Sequence, residues 1–142
     1  MEGQVFTSSA GSLKCKKIIH AVGPRWRNGF RQEEHTLFMC IDNCFEEAAK
    51  FNLQSLAIPP ISTGIFGYPL EKAVKTIVDA LGTRESKNEF VPQRVIFVDN
   101  KDDSLRLFER ELRARYETSQ PKPKLPPRKS TQRPQLQIPK TG

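Results

Sequence analysis

The strongest constraint on the fold of this chain is the alternation of short β-branched stretches with longer stretches of helical periodicity. Strands are predicted in QVFTSS, KKIIHAVG, SLAIPPI and RVIFVDN, the last two as buried strands. Helices are predicted over residues 33–51, over 70–82 with Gly82 as the C-terminal stop, and after a cap at Asp102 or Asp103. Strands that alternate with helices in this way indicate a layered α/β domain with a largely parallel sheet.

The C-terminal part of the chain differs in composition from the rest. Residues 117–142 contain six of the eleven prolines, six Lys or Arg, one Glu and no aromatic residue. Such a segment buries too little apolar surface to offset the entropy of ordering it, so it is predicted to be a disordered basic tail. The tail carries +5 of the net charge of +7, which leaves +2 for the expected folded domain and its flanks. Basicity therefore gives no reason to assign a nucleic-acid surface to the folded part, residues 3–116.

The sequence contains no apolar run long enough to span a bilayer, and its N-terminus lacks the basic and apolar regions of a signal peptide. Cys15, Cys40 and Cys44 are few and odd in number, which is typical of free thiols in a reducing compartment. The expected location is therefore the cytoplasm or the nucleus, with no membrane partner.

The loop STGIFGYP, which joins the third predicted strand to the second predicted helix, is the main functional candidate. In open α/β sheets, ligands bind at the carboxyl ends of strands, and glycine-rich loops that lead into a helix present backbone N–H groups to anions. Gly64 and Gly67 permit close approach of the backbone. Ser62 and Thr63 are expected to add hydroxyl donors, and Pro69 suits the first helical turn.

The same loop excludes two common phosphate sites. It lacks the lysine of a triphosphate-binding P-loop and does not match the dinucleotide fingerprint G-x-G-x-x-G. A diphosphate flanked by sugars fits better, because Ile65 and Phe66 can cover it and pack on a ribose. The alternative is a plain turn in which Phe66 is buried.

A family likeness is carried by three segments: KKIIHAVGPRW, CIDNCFEEAAKFNLQSLAIPPISTGIFGYPLEKAVKTIVDAL and RVIFVDNKDDSLRLFERELRARY. In order, over residues 4–116, they resemble the second half of a macrodomain, and most of all the macrodomains of the multi-macrodomain poly(ADP-ribose) polymerase family. The resemblance implies a three-layer α/β/α fold. It also implies that the ligand is ADP-ribose, free or attached to proteins, and that no cofactor is needed.

The resemblance assigns roles to individual positions as well. It implies that the backbone amides of residues 62–67 hold the diphosphate, with Phe66 beside the distal ribose. The adenine is expected near the end of the last strand, at Val98, Asp99 and Asn100. The full ligand-binding set predicted for the loop is Ser62, Thr63, Gly64, Ile65, Phe66, Gly67 and Tyr68.

Part of the family pattern has no counterpart in this sequence. Macrodomains begin with further strands, an adenine-contacting Asp, an N-A-A-N segment and a glycine-rich loop that supplies the residues of the hydrolytic members. None of these precedes QVFTSSAG. The chain is therefore expected to be a partial macrodomain, a fragment whose N-terminal strands are missing and whose sheet has a gap between the strands at 17–22 and 55–61. This expectation favours binding over hydrolysis and predicts marginal stability.

Other reactive side chains have ordinary structural explanations. Cys40 and Cys44 share one helical face and are expected to be buried thiols, since a metal site would need a second pair of ligands. His20 is predicted to be a hydrogen-bonded strand residue without a Ser or Asp partner. Trp26 is predicted to be a packing anchor, and its place between two arginines also suits stacking on a base. Since no acid–base pair is recognisable, no catalytic residue and no metal ligand is assigned.

The tail offers one partner motif. PKLPPR contains P-x-x-P-x-R, at Pro123, Pro126 and Arg128, the polyproline pattern that SH3-type grooves read. Nonspecific contact between the basic tail and nucleic acid is the alternative. Three functions thus stay open: a noncatalytic module for ADP-ribose or ADP-ribosylated proteins, an ADP-ribosyl hydrolase or a piece of an ADP-ribosyltransferase, and an adaptor that acts through the tail. The sequence favours the first.

Overall fold

A computed structural model describes residues 1–118 of the chain. Seven elements follow one another in these residues: β1 (Val5–Ser9), β2 (Lys17–Ala21), α1 (Glu33–Lys50), β3 (Ser55–Ile58), α2 (Leu70–Ser86), β4 (Arg94–Phe97) and α3 (Asp102–Thr118). The predicted α/β class is confirmed. None of the three helices is long and apolar enough to cross a membrane. The predicted SH3-type motif at Pro123, Pro126 and Arg128 lies outside the described residues.

Within the described part of the chain, the strands form two separate two-stranded sheets. β1 and β2 pair antiparallel, with Val5 opposite Ala21, whereas β3 and β4 pair parallel, with Ser55 opposite Arg94. The prediction of a largely parallel sheet is thus wrong for the first pair. A short loop joins β1 to β2, and short loops favour antiparallel pairing, whereas α2 supplies the crossover that the parallel pair needs. The expected gap corresponds to the break between β2 and β3.

The core lies between the helices and the parallel pair of strands. Val95 and Phe97 of β4 are about as buried as the apolar face of α1, and the Phe97 ring stacks on Phe108 of α3 at a centroid distance of 4.5 Å. By contrast, only Ile58 is fully buried in β3, and β2 contains half-buried residues only, apart from exposed Lys17. The prediction that SLAIPPI forms a buried strand holds only for Ile58, because β3 has a neighbouring strand on one side only in the described residues.

Helix α2 continues beyond its predicted end at Gly82. It reaches Ser86, so that Gly82 lies within the helix. A Cβ at this position would occupy the place of the Arg115 guanidinium of α3, so a larger residue here would displace that side chain. The glycine therefore allows close packing between two helices rather than ending one of them.

An ion-pair cluster around the buried guanidinium of Arg84 joins α2 to α1. Arg84 is 2% exposed, and its guanidinium donates to Asp42 at 2.9 Å and to Glu46 at 2.8 Å. Its Nε donates to the carbonyl of Phe90 at 2.8 Å. Burial acts to lower the pKa of Arg84, but the two carboxylates outweigh it and raise the pKa above its ordinary value. Arg84 thus holds together two helices and the segment that leads to β4.

Candidate functional site

The candidate loop lies at the carboxyl edge of the parallel strand pair. It follows β3, and the backbone N–H of Val98, just past β4, donates to the carbonyl of Ile58 at 3.0 Å. The structure therefore brings the loop and the predicted adenine-side segment, residues 98–100, to the same edge of one sheet. This is the edge at which open α/β sheets bind their ligands.

Two internal hydrogen bonds shape the loop. Tyr68 N–H donates to the carbonyl of Ser62 at 2.9 Å, and Gly67 N–H donates to that of Gly64 at 3.0 Å. The backbone turns through left-handed conformations at both ends, with φ of 72° at Ser62 and 73° at Gly67. Gly67 adopts this conformation at no steric cost, which explains the second glycine of the motif.

Other backbone amides of the loop have no acceptor. Within residues 1–118, the N–H groups of Ser62, Gly64, Ile65 and Phe66 are not paired with any carbonyl or side chain. The loop also leads directly into α2, which begins at Leu70 and whose first turn has no side-chain cap. Unpaired N–H groups beside a helix N-terminus favour an anion there. The loop therefore has the donors that a phosphate or diphosphate needs.

The two hydroxyl groups of the loop do not add to these donors as predicted. Thr63 Oγ1 donates to the carbonyl of Pro60 at 2.7 Å, so the prediction is wrong for Thr63, whose hydroxyl stabilises the turn. Ser62 Oγ is buried without a hydrogen-bond partner in the described residues. It packs against Gly23, where a Cβ would lie 2.1 Å from the hydroxyl oxygen. The donors that the loop presents without an acceptor are therefore backbone N–H groups.

The apolar side chains of the loop have three different environments. Ile65 is 97% exposed and Phe66 is half-buried, so the loop is not a plain turn around a buried Phe66. Tyr68 is only 3% exposed and belongs to the core, which places its ring behind the loop. The guanidinium of Arg25 lies 5.6 Å from the centre of the Phe66 ring. Sequence reasoning missed Arg25, which adds positive charge beside the Phe66 end of the loop.

Trp26 connects the loop to the segment between β2 and α1. Its backbone N–H donates to the carbonyl of Phe66 at 2.8 Å. Its ring lies 4.8 Å from that of Tyr68 and also packs against Gly29. The prediction that Trp26 is a packing anchor is confirmed. What it anchors, the Phe66 end of the candidate loop, could not be seen in the sequence.

A buried carboxylate organises the same segment. Glu33 is 2% exposed, and its Oε2 accepts hydrogen bonds from the N–H groups of Arg27, Asn28 and Gly29 at 2.9, 3.1 and 3.1 Å. Its Oε1 accepts a fourth from Arg31 at 2.7 Å. Burial acts to raise the pKa of this carboxyl, but the backbone donors outweigh it and lower the pKa to about 2. Sequence reasoning missed Glu33, for which the available signal is an acidic first turn after a glycine-containing loop.

The predicted adenine-side residues form a turn into α3. The carboxylate of Asp99 accepts hydrogen bonds from the hydroxyl of Ser104 and, at 2.8 Å, from the backbone N–H of Asn100. Val98 is half-buried and Asn100 is exposed. The carboxylate therefore stabilises the start of the helix, and the assignment of residues 98–100 to the adenine stays a prediction.

The histidine and cysteine side chains that the sequence singled out lie in β2 and α1. His20 Nε2 lies 2.8 Å from Ser8 Oγ, so the prediction that His20 has no Ser partner is wrong. Ser8 Oγ also donates to the carbonyl of Ser9 at 3.1 Å, and the direction of the bond between Ser8 and His20 depends on the tautomer of the histidine. Cys40 and Cys44 are buried free thiols, as predicted. Residues 1–118 contain no group of three or more potential metal ligands.

Comparison with known proteins places these features in a family. Residues 1–77 match the family model described as Macro domain. The O-acetyl-ADP-ribose deacetylase of Enterobacter sp. (strain 638) is 37% identical over 110 residues, 78% of this chain and 61% of that protein. The solved Oceanobacillus iheyensis macrodomain with ADP is 27% identical, with a TM-score of 0.75 over 83% of this chain and 61% of that chain. A mutant of that macrodomain with ADPR gives the same identity and TM-score over 82% of this chain and 62% of that chain.

The family match covers most of this chain but only part of the length of each relative. The family model covers more than half of the sequence. The chain spans about three fifths of the length of the relatives named above. The strand-to-helix loop lies within residues 1–77, the part of the chain that the family model matches. The chain therefore belongs to the macrodomain family.

Proposed function

We propose that this protein binds ADP-ribose through the loop at residues 62–67, which holds the diphosphate. The observation that carries the proposal is the set of four unpaired N–H groups, at Ser62, Gly64, Ile65 and Phe66, beside the N-terminus of α2. Arg25 adds a positive charge, and Phe66 offers a half-buried ring for a ribose. The solved structures of similar macrodomains with ADP and with ADPR support the choice of ligand.

The proposed role is recognition without turnover. Ser62 and Thr63 carry the hydroxyl groups at the start of the loop, and within residues 1–118 no His, Asp or Glu side chain is hydrogen-bonded to either of them. The names of the bacterial relatives, O-acetyl-ADP-ribose deacetylases, favour a hydrolase as the second candidate. Incubation with O-acetyl-ADP-ribose separates the two. We expect no release of acetate, and release that the Gly64→Glu variant abolishes would establish the hydrolase.

The finer assignments are proposals as well. The relationship to the multi-macrodomain poly(ADP-ribose) polymerases depends on the sequence pattern, whereas the Enterobacter relative named above is an O-acetyl-ADP-ribose deacetylase. If that relationship is correct, ADP-ribosylated proteins in the cytoplasm or nucleus are the natural targets. Removal of residues 119–142 tests the adaptor alternative, because ADP-ribose binding should survive the deletion and binding to an SH3 domain should not.

Calorimetric titration of the full chain with ADP-ribose, ADP and AMP tests the main proposal. AMP lacks the second phosphate, so we expect it to bind at least about tenfold more weakly than ADP-ribose, a difference of ~1.4 kcal/mol. The Gly64→Glu variant should lose measurable binding of ADP-ribose and of ADP. Equal affinities for ADP-ribose and AMP, or an unchanged affinity in the variant, would contradict recognition of a diphosphate by this loop.

A further inference from the structure

The carboxylate of Glu33 makes more hydrogen bonds than a helix terminus requires. It accepts from four backbone N–H groups, at residues 27, 28, 29 and 31, and all four belong to the loop before α1. The N-cap residue, Gln32, makes no side-chain cap and has a left-handed backbone, with φ of 59°. Glu34, the other acidic residue of the first turn, is exposed. Attraction to the helix dipole is common to both glutamates, so it does not explain the burial of Glu33 alone.

The segment that Glu33 organises leads directly to the candidate loop. Trp26 immediately precedes the first of the bonded amides, and its N–H donates to the carbonyl of Phe66 at 2.8 Å. Gly29, whose N–H donates to Glu33, has φ of 84°, and a Cβ built there would approach the Trp26 ring to 3.0 Å. The Trp26 ring in turn packs on Tyr68, which directly follows the loop at its C-terminal end. An unbroken chain of contacts thus joins Glu33 to both ends of residues 66–68.

We propose that Glu33 is a positioning residue: through the 27–31 backbone and Trp26, it fixes the place of the Phe66 end of the loop at residues 62–67. The effect on ligand affinity depends on the proposed ADP-ribose binding, but the effect on Trp26 does not. A carboxylate is needed because it only accepts hydrogen bonds, whereas an amide side chain would direct two donors at a segment that also donates. Glu33 acts on the ligand through the loop and is not expected to touch it.

The Glu33→Gln variant tests the proposal, with Glu34→Gln as its matched control. Both variants remove one negative charge from the first turn of α1, but only the first removes an acceptor for the 27–31 amides. Trp26 is the single tryptophan of the chain, so its fluorescence reports on this segment without a label. We expect Glu33→Gln to shift the emission to longer wavelength, to increase acrylamide quenching about twofold and to weaken ADP-ribose binding about tenfold. Glu34→Gln should change none of these.

A second variant keeps the test informative if Glu33→Gln does not fold. Gly29→Ala retains the N–H that donates to Glu33, but it strains the backbone at a φ of 84° and places a methyl group against the Trp26 ring, so we expect the same shift in emission and a loss of affinity. If Glu33→Gln folds and matches Glu34→Gln in emission, quenching and affinity, the proposal is wrong. If the native protein binds no ADP-ribose, the proposed function fails, and the Trp26 fluorescence of the variants still decides the positioning role.

Discussion

At the scale of single residues, the backbone and the side chains of the loop at residues 62–67 have different roles: the backbone presents unpaired N–H groups, and the Thr63 hydroxyl stabilises the turn. The Thr63 hydroxyl is already bonded to the carbonyl of Pro60, whereas no atom lies within 4 Å of a Cβ built on Gly64. Residue type predicted the loop correctly as a glycine-rich helix entrance. The residue types did not predict that the Thr63 hydroxyl is bonded and the Ser62 hydroxyl is not, because hydroxyl pairing depends on the geometry of the turn.

Substitutions at these two positions distinguish backbone from side-chain recognition. We expect Thr63→Ala to weaken ADP-ribose binding less than Gly64→Glu, which places a negative charge beside the unpaired amides. Gly64→Ala is the control for bulk and should stay close to the native affinity, since its methyl group meets no other atom of the protein. Calorimetry on the three variants provides the comparison. Equal losses for Thr63→Ala and Gly64→Glu would contradict the backbone account.

Glu33 gives the protein a defined acid sensitivity. Its pKa is lowered from 4.5 to about 2, so the stability that it contributes is complete above pH 4.5 and is lost as the pH falls toward 2. Glu47, which accepts from the Thr7 hydroxyl and pairs with Lys50, also has a lowered pKa and adds to the same slope. The melting temperature of Glu33→Gln should fall less steeply with acidification below pH 4.5 than that of the native protein. If Glu33→Gln leaves the pH dependence of the melting temperature unchanged, Glu33 does not cause the acid sensitivity.

The three cysteines should differ in reactivity because their accessibility differs. Cys15 is exposed, whereas Cys40 and Cys44 are buried. The hydrogen bond between the buried pair lowers the pKa of Cys40 and, with burial, raises that of Cys44. Access decides, because a thiolate without solvent contact does not meet the reagent. Titration with a thiol-specific chromophore should find one fast group in the native protein and three after unfolding. A Cys15→Ser variant with a fast group would contradict this.

At the scale of elements, helical periodicity predicted α1 and the start of α3 well, because both depend on a local apolar stripe. It ended α2 too early at Gly82, since the need for a glycine there comes from Arg115, far away in sequence. The partners of Arg84 on α1 could not be predicted for the same reason. Contacts between elements depend on the helix packing, which periodicity does not specify.

The Arg84 cluster should be the most costly ion-pair cluster to break among the described residues. Arg84 is 2% exposed, and its loss leaves two carboxylates and the Phe90 carbonyl without their donor. Removing one partner of a buried pair costs about 3–5 kcal/mol, and the partial exposure of Asp42 and Glu46 points to the lower end, about 3 kcal/mol. Urea unfolding of Arg84→Ala measures this cost. Lys75→Ala, which breaks an exposed pair on the same helix, is the control and should cost less than about 1 kcal/mol.

At the scale of the whole molecule, the separation into two small sheets is the feature that most affects stability. The family pattern led us to expect a gap, and the break lies between β2 and β3, each of which has one paired side in the described residues. Unpaired strand edges and half-buried strand residues both reduce the free energy of unfolding. The location of the break came from the family resemblance, since the strand patterns alone indicate no pairing partners.

We therefore expect the chain to be marginally stable. Its melting temperature should lie at or below about 45 °C, the lower end for mesophilic domains, and the protein should aggregate on heating. Differential scanning calorimetry of residues 1–118 measures the transition. Addition of strands that pair with β2 and β3, as an N-terminal extension of the chain, should raise it. A cooperative transition near 60 °C without such an extension would show that the two sheets are sufficient.

The break between β2 and β3 should also be visible in the rates of amide hydrogen exchange. Successive backbone N–H groups of a strand point to opposite sides, so a strand with one neighbour protects every second amide from exchange with solvent. Deuterium uptake in β2 and β3 should therefore alternate from one residue to the next: amides that point toward β1 or β4 should exchange slowly, and amides that point toward the break should exchange fast. A strand flanked on both sides would be slow throughout. The pattern of exchange rates would thus identify the open edges of β2 and β3 in solution.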